Sequence, residues 1–285
     1  MSSGLLTWAA AAAGGAVTGW LALRVALNSS FDRLVRTNVG GRRVPAVLGG
    51  PLLVGALTGA FVVGLVGSVV DESLFFLAQR LTAALTGALF VAILFVGGLV
   101  DDLRGDEGSR GFGGHLRALR SGRITGGIIK IAAGGIAGLV AAWMFAESSL
   151  IESFLMVPLA ANLFNLLDTA PGRAAKGGAV ALGALSLASG PFAIAAAGTF
   201  GALLAVLPAD LGERAMLGDA GANSMGALVG VGLIVVLGEP WRAIALVGLV
   251  ALNLASERIS FARVIDETWL LRAVDRLGRR RTHTT

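Results

Sequence analysis

Residues 81–102 read LTAALTGALFVAILFVGGLVDD, an apolar run closed by two adjacent carboxylates, Asp101 and Asp102. A helix of roughly 20 apolar residues crosses the ~30 Å hydrocarbon layer of a bilayer. The stretch therefore predicts a transmembrane helix that carries both aspartates to the membrane surface. Similar runs recur along the chain, near 4–27, 47–70, 126–146, 150–167, 177–190, 191–207, 222–238 and 241–257. Together they predict an all-α membrane bundle of nine spans. The run 177–190 and the one after it are separated only around Pro191, so two short helices compete there with one long broken helix.

Composition agrees. Of 285 residues, 55% are hydrophobic and 14% charged, against about 25% charged in a soluble domain. Mean hydropathy is +0.79. With no Pro/Ser-rich linker between the runs, residues 1–285 are expected to form one integral membrane domain. The absence of cysteine excludes disulfides and thiol nucleophiles, and two histidines, His115 and His283, are too few for a zinc site. Any metal must be held by carboxylate oxygens, which suits Mg2+.

Nine spans put alternate loops on opposite sides. Every basic residue except Arg80 and Arg242 then falls on one side, which the positive-inside rule assigns to the cytoplasm. The amino terminus is expected outside and the carboxyl terminus inside, as a multi-pass protein of the inner, cytoplasmic membrane. Arg24 follows the first apolar run, whereas a secretory signal carries its charge before one. Residues 258–281 mix apolar side chains and arginines at helical spacing and predict an interfacial amphipathic helix.

The polar segments gather on the basic side. Asp101 and Asp102 sit at a helix carboxyl end, where negative charge is unfavourable, and this argues for a functional cation partner. The loop that follows, with Arg104, Arg110, His115 and Arg117, suits a diphosphate. It lacks the interleaved aromatics that nucleic acid would require. Lys130 lies about one turn into the fourth span, where snorkelling brings its ammonium to the same surface. Asn162, Asn165 and Asp168, three residues apart, are expected to share one helix face. Gly218-Asp219-Ala220-Gly221 precedes the eighth span and reads either as a helix start or as an anion cradle. The first basic loop, 28–46, reads as solvated or facing lipid headgroups.

Asp101-Asp102, Asn162-x-x-Asn165-x-x-Asp168 and Gly218-Asp219-Ala220-Gly221 resemble, in order and in sidedness, three motifs of the polyprenyl-phosphate N-acetylhexosamine-1-phosphate transferases (glycosyltransferase family 4). That family includes phospho-MurNAc-pentapeptide translocase and the undecaprenyl-phosphate GlcNAc-1-phosphate transferases. The resemblance covers roughly residues 30–230. It implies transfer of a sugar-1-phosphate from a UDP-sugar to a polyprenyl phosphate, with release of UMP and dependence on Mg2+. It implies Asp101, Asp102, Asp168 and Lys130 as catalytic residues and Asp168, Asp219 and Asp102 as metal ligands. The substrate set is then Asn162, Asn165, Arg104, His115, Arg173 and Asn223. The implied partners are the lipid phosphate and the UDP-sugar, and oligomeric state is left open, a homodimer among the options.

Three features differ from the family, one being a longer spacing from Pro45 to Gly49-Gly50 in the first loop. The family's histidine motif in the last cytoplasmic loop is absent, the region reading ASERISFARVIDET (255–268). Its second aspartate after the asparagine motif is also absent, the chain reading Asp168-Thr-Ala-Pro171-Gly172. These differences favour a simple UDP-N-acetylhexosamine over a pentapeptide-bearing sugar. They also keep in view a non-catalytic relative acting as a membrane binding or assembly partner. A transporter fits less well, because its ionisable groups belong near the bilayer midplane.

Overall fold

The computed structural model describes residues 2–29, 31–38, 41–69, 73–104, 121–122, 125–145, 149–188 and 190–279. The apolar runs become helices because a backbone in lipid has no water to bond and must satisfy its own N–H and C=O groups. In chain order they are α1 (Ser2–Asn28), α2 (Gly49–Val69), α3 (Leu74–Arg104), α4 (Gly126–Met144) and α5 (Leu150–Leu167). Then come α6 (Arg173–Ala188), α7 (Gly190–Leu211), α8 (Gly218–Val236) and α9 (Trp241–Ser256), and two short helices, α10 (Phe261–Glu267) and α11 (Trp269–Arg276). Between α1 and α2 the chain makes an antiparallel hairpin of β1 (Val35–Thr37) and β2 (Arg43–Pro45).

Seven of these helices, α1 to α5, α7 and α8, are long and apolar enough to cross a membrane. The protein is a multi-pass helical membrane protein, and the expectation of nine spans is met in part. Helix α6 has 16 residues, about 24 Å at 1.5 Å per residue, and its first turn carries Arg173 and Lys176, which leaves a shorter apolar part. Helix α9 also has 16 residues and qualifies only jointly with α10, across a 95° bend, as an eighth, broken span. Around residue 189 the structure has two helices, α6 and α7, in place of one broken helix.

Helix α8 is the centre of the bundle. Of its most apolar window 78% is buried, against 22% for α1. It packs chiefly on α3 and α5, with α2 and α6 on its remaining flanks, while α1 lies outside against α2 and α7. Small residues allow this, since helix association in lipid rests on close packing and not on water exclusion. The outer surface is apolar, with Val17, Phe61, Leu139, Trp143, Val180 and Leu187 all exposed, as a lipid-facing circumference requires.

At one end of the bundle, Arg242 on α9 is held 2.8 Å from Glu152 on α5, and Arg80 bonds Thr7 at 3.3 Å. The other end carries the hairpin, the ends of α3, α5 and α7 and the starts of α4 and α8. Helix α3, with 31 residues, is about 46 Å long at the usual rise. Its carboxyl end therefore projects beyond a ~30 Å hydrocarbon layer and delivers Asp101 and Asp102 to this second end.

Candidate functional site

Helix α8 begins with four backbone N–H groups that have no partner within the helix, at the positive end of its dipole. The protein fills this site with its own carboxylates. Asp102 accepts from the Asp219 N–H at 3.2 Å and the Ala220 N–H at 2.9 Å, one bond to each oxygen. The Gly218 N–H is directed to Asp168. Two glycines make this geometry accessible. A Cβ on Gly98 would collide with the Asp219 carbonyl, so its absence lets α3 lie directly against α8; Gly218 has φ +64°, which turns the chain sharply into the helix. Asp102 is 4% exposed. Its place at the carboxyl end of α3 is unfavourable only until the amino end of α8 is brought against it.

Lys130, on the first turns of α4, occupies the space next to this junction. Thr125 starts α4 by accepting the Ile128 N–H at 3.4 Å. The Lys130 ammonium lies 3.2 Å from Asp101 and 3.0 Å from Asp219. Asn165, with its amide oriented as the network demands, accepts from Lys130 at 3.1 Å and donates to Asp219. An ammonium has three N–H donors, so Lys130 is saturated by Asp101, Asp219 and Asn165.

The hairpin covers the site from the outside, with Arg33, Arg42 and Arg43 exposed. Arg36 donates to the Asp102 carbonyl and, at 3.1 Å, to the carbonyls of Arg33 and Val35. Asn38 donates to Glu213 at 2.8 Å, and the strand continues into a bridge between Ala46 and Met216. Beneath lies a cleft of about 310 Å³ bordered by Arg36, Thr37, Asp101, Asp102, Asn165, Asp168, Met216, Gly218 and Asp219. It adjoins a second cavity of about 250 Å³, with Thr37, Asp168 and Met216 shared and Asp210 and Glu213 added. Asp168, just past the end of α5, stands between the two. Its burial, and then the nearby carboxylates of Asp210 and Asp219, push its carboxyl well above the usual range, against the Gly218 N–H.

The structure thus brings Asp101, Asp102, Asp168, Asp219, Lys130 and Asn165 together. The other expected substrate residues are placed differently. Asn162 is exposed and donates to Asn253 on α9 at 2.7 Å, an interhelical bond away from the cleft. Steps of three residues drift by about 60° each on a helix of 3.6 residues per turn. Asn162 and Asp168 are thus about 120° apart and do not share a face. Arg173 is buried against Asp275 of α11, at 2.9 and 3.0 Å, and does not border the cleft. Arg104 is exposed at the last residue of α3. Asn223 is 1% exposed within α8, its amide nitrogen without a partner among the described residues. His115 lies outside the described residues.

Arg36 and Asp210 were not anticipated. Asp210 carried a readable signal, an acid near the end of an apolar run like Asp101. It is 2% exposed, with one oxygen unpartnered among the described residues. Arg36 carried none, because one arginine in a basic loop is indistinguishable from its neighbours until the hairpin forms.

The donors suit Mg2+ in kind, being hard carboxylate oxygens. Among the described residues no three His, Cys, Asp or Glu side chains are grouped to hold an ion by themselves. Mg2+ ordinarily takes one or two carboxylates together with substrate phosphates, and this lesser demand the cleft meets. Asp168 and Asp219 border it and would hold the ion. Asp102 also borders the cleft, with one backbone N–H on each of its oxygens. No protein-family model matches this sequence, and no curated protein matches it.

Proposed function

We propose that the protein transfers a sugar-1-phosphate, an N-acetylhexosamine-1-phosphate, from a UDP-sugar to a polyprenyl phosphate at the cytoplasmic face of a membrane, releasing UMP. It would thereby act as a member of the polyprenyl-phosphate sugar-1-phosphate transferases. The observation that carries this reading is the convergence of three separate motifs on one 310 Å³ cleft at the ends of membrane helices. Four carboxyl groups there are grouped with one lysine and one arginine, and a bound cation would favour their ionised forms. The basic residues at this end of the bundle support the same orientation by the positive-inside rule. The exposed Trp269, Leu270 and Val274 of α11 support its lying in the headgroup layer.

In the reaction an oxygen of the lipid phosphate attacks the sugar-linked phosphorus. The P–O bond to the UMP leaving group breaks, and UMP departs with the bridging oxygen and its electron pair. Mg2+ bound by Asp168 and Asp219 would supply neutralisation of the diphosphate oxygens. Lys130 holds Asp101 and Asp219 at fixed separation and would exchange one of its three partners for the lipid phosphate. Asp101, freed by that exchange, would take the proton of a monoprotonated lipid phosphate. Asp102 acts by fixing the start of α8, so that Asp219 is presented without rearrangement.

A second reading, a relative without catalysis that binds or assembles other membrane components, is favoured by the completeness of the Lys130 network. Purified protein in liposomes with undecaprenyl phosphate, Mg2+ and UDP-GlcNAc separates the two. UMP release is the expected result, and absence of release with every UDP-sugar tried would favour the second reading.

A further inference from the structure

A third cavity, of about 290 Å³, lies at the same end of the bundle but outside the cleft, between the carboxyl ends of α1 and α7. Trp20, Arg24 and Asn28 line it at steps of four residues, with Leu23 and Leu27 beside them; Pro208 and Arg214 close it from the α7 side. Steps of three and four residues form one helix stripe, so this stripe of α1 turns both guanidinium and apolar surface toward one space. Arg24 stacks over the Trp20 ring, its guanidinium carbon 4.8 Å from the centroid. A stacked guanidinium keeps its N–H edge available for an oxyanion.

No carboxylate lines the cavity, and among the described residues neither Arg24 nor Arg214 has a salt-bridge partner. The acids next in the chain to Arg214 and Pro208 face elsewhere: Glu213 receives Asn38 and Arg42, and Asp210 borders the separate 250 Å³ cavity with Asp168. The carbonyl ends of two helices add partial negative charge of about half a unit each, which the two full arginine charges exceed. Leu21 and Val25 on α1 and Leu204 on α7 are exposed around this region, so the cavity opens onto the lipid-facing surface. Two arginines without a carboxylate partner among the described residues, an aromatic wall and a lipid-side opening make a complementary seat for a phosphate carrying acyl chains.

We infer that the cavity between α1 and α7 binds one anionic phospholipid, its phosphate between Arg24 and Arg214 and its acyl chains along α1. The site is independent of the transferase reading, since none of its residues borders the 310 Å³ cleft.

The test is native mass spectrometry of the full chain in detergent, titrated with phosphatidylglycerol and, separately, with phosphatidylcholine. One phosphatidylglycerol is expected to bind in preference to phosphatidylcholine. Each of Arg24→Gln and Arg214→Gln should weaken that binding roughly fivefold, as removal of one surface arginine from an anionic lipid does. Arg24→Lys should retain most of it, and unfolding temperatures should match the parent. Equal binding of the two lipids, or unchanged phosphatidylglycerol affinity in the folded double variant, overturns the assignment. Displacement by millimolar inorganic phosphate would make this a free-phosphate site, and preferential displacement by undecaprenyl phosphate a substrate site. Either outcome overturns the phospholipid.

Discussion

The ammonium of Lys130 lies 3.0 Å from the carboxylate of Asp219, although the two stand on different helices, α4 and α8. Because Asp101 and Asn165 accept its other two N–H bonds, Lys130 ties α3, α4, α5 and α8 together at one point. The cluster is thereby shaped before any substrate arrives, and whatever binds must compete with a saturated lysine.

Removing that lysine should destabilise the protein by roughly 3 kcal/mol, because breaking a buried pair leaves charge uncompensated. Lys130→Met should lower the unfolding temperature in detergent, and adding Asp219→Asn should restore much of the loss. Purely additive effects of the two substitutions would remove the coupling assigned here.

Asp102 should matter to folding even without substrate or metal. Asp102→Ala deprives two N–H groups of α8 of their acceptor and should cost about 1–2 kcal/mol, the range for a lost helix cap. Asp102→Asn keeps one acceptor oxygen and should lie between. Thermal unfolding of ligand-free protein reads this directly, and an unchanged midpoint for the alanine variant would mean that Asp102 does not anchor α8.

Much of the fold was legible because lipid imposes one rule, a long apolar run for each crossing helix. The rule weakens where charge enters a helix, so α6, which opens with Arg173 and Lys176, came out shorter than a span. The site was legible for the same reason, acids at the ends of apolar runs being conspicuous. What stayed hidden depends on which residue a polar group meets across space. Arg173 pairs with Asp275, 102 positions away, and Asn162 with Asn253, 91 away. Nothing local in either sequence neighbourhood announces the partner. The hairpin was hidden too, since three-residue strands carry too short an alternation to read.

The carboxyl-terminal helix should be a pH-stable latch. Burial alone would raise the Asp275 carboxyl, but hydrogen bonds from Arg173 and the charge of Arg279 outweigh it and hold the group below the usual carboxylate range. Arg279 reaches Asp275 at 2.5 Å, and Lys176 bonds the carbonyls of Val274, Asp275 and Leu277 at 2.6 to 3.0 Å. A depressed folded-state value contributes stability above the unfolded value, near 3.8, and loses it as pH falls through the folded one. Hydrogen exchange over residues 269–277, corrected for its intrinsic pH dependence, should therefore show constant protection from pH 8 to about 5. Asp275→Asn should release the segment throughout that range. Progressive loosening of the parent between pH 8 and 6 would contradict the pairing.

Asp168 should show the opposite sign, and with it the signature of a carboxylate kept for function. Its folded-state value is raised by burial and by Asp210 and Asp219, so the folded state favours the neutral acid. Stability is then lost as pH rises from the ordinary carboxylate range toward the raised value. Asp168→Asn carries no charge to bury and retains an oxygen for the Gly218 N–H. Its unfolding temperature should match the parent near pH 4 and exceed it increasingly as pH rises, levelling off once the parent carboxyl has ionised. The same substitution should abolish UMP release, because a neutral amide is a poor Mg2+ ligand beside a diphosphate. A more stable but inactive variant means the parent accepts a stability loss for a charge that only the reaction uses. A variant less stable than the parent at pH 7 would make Asp168 a structural cap and remove it from the proposed metal site.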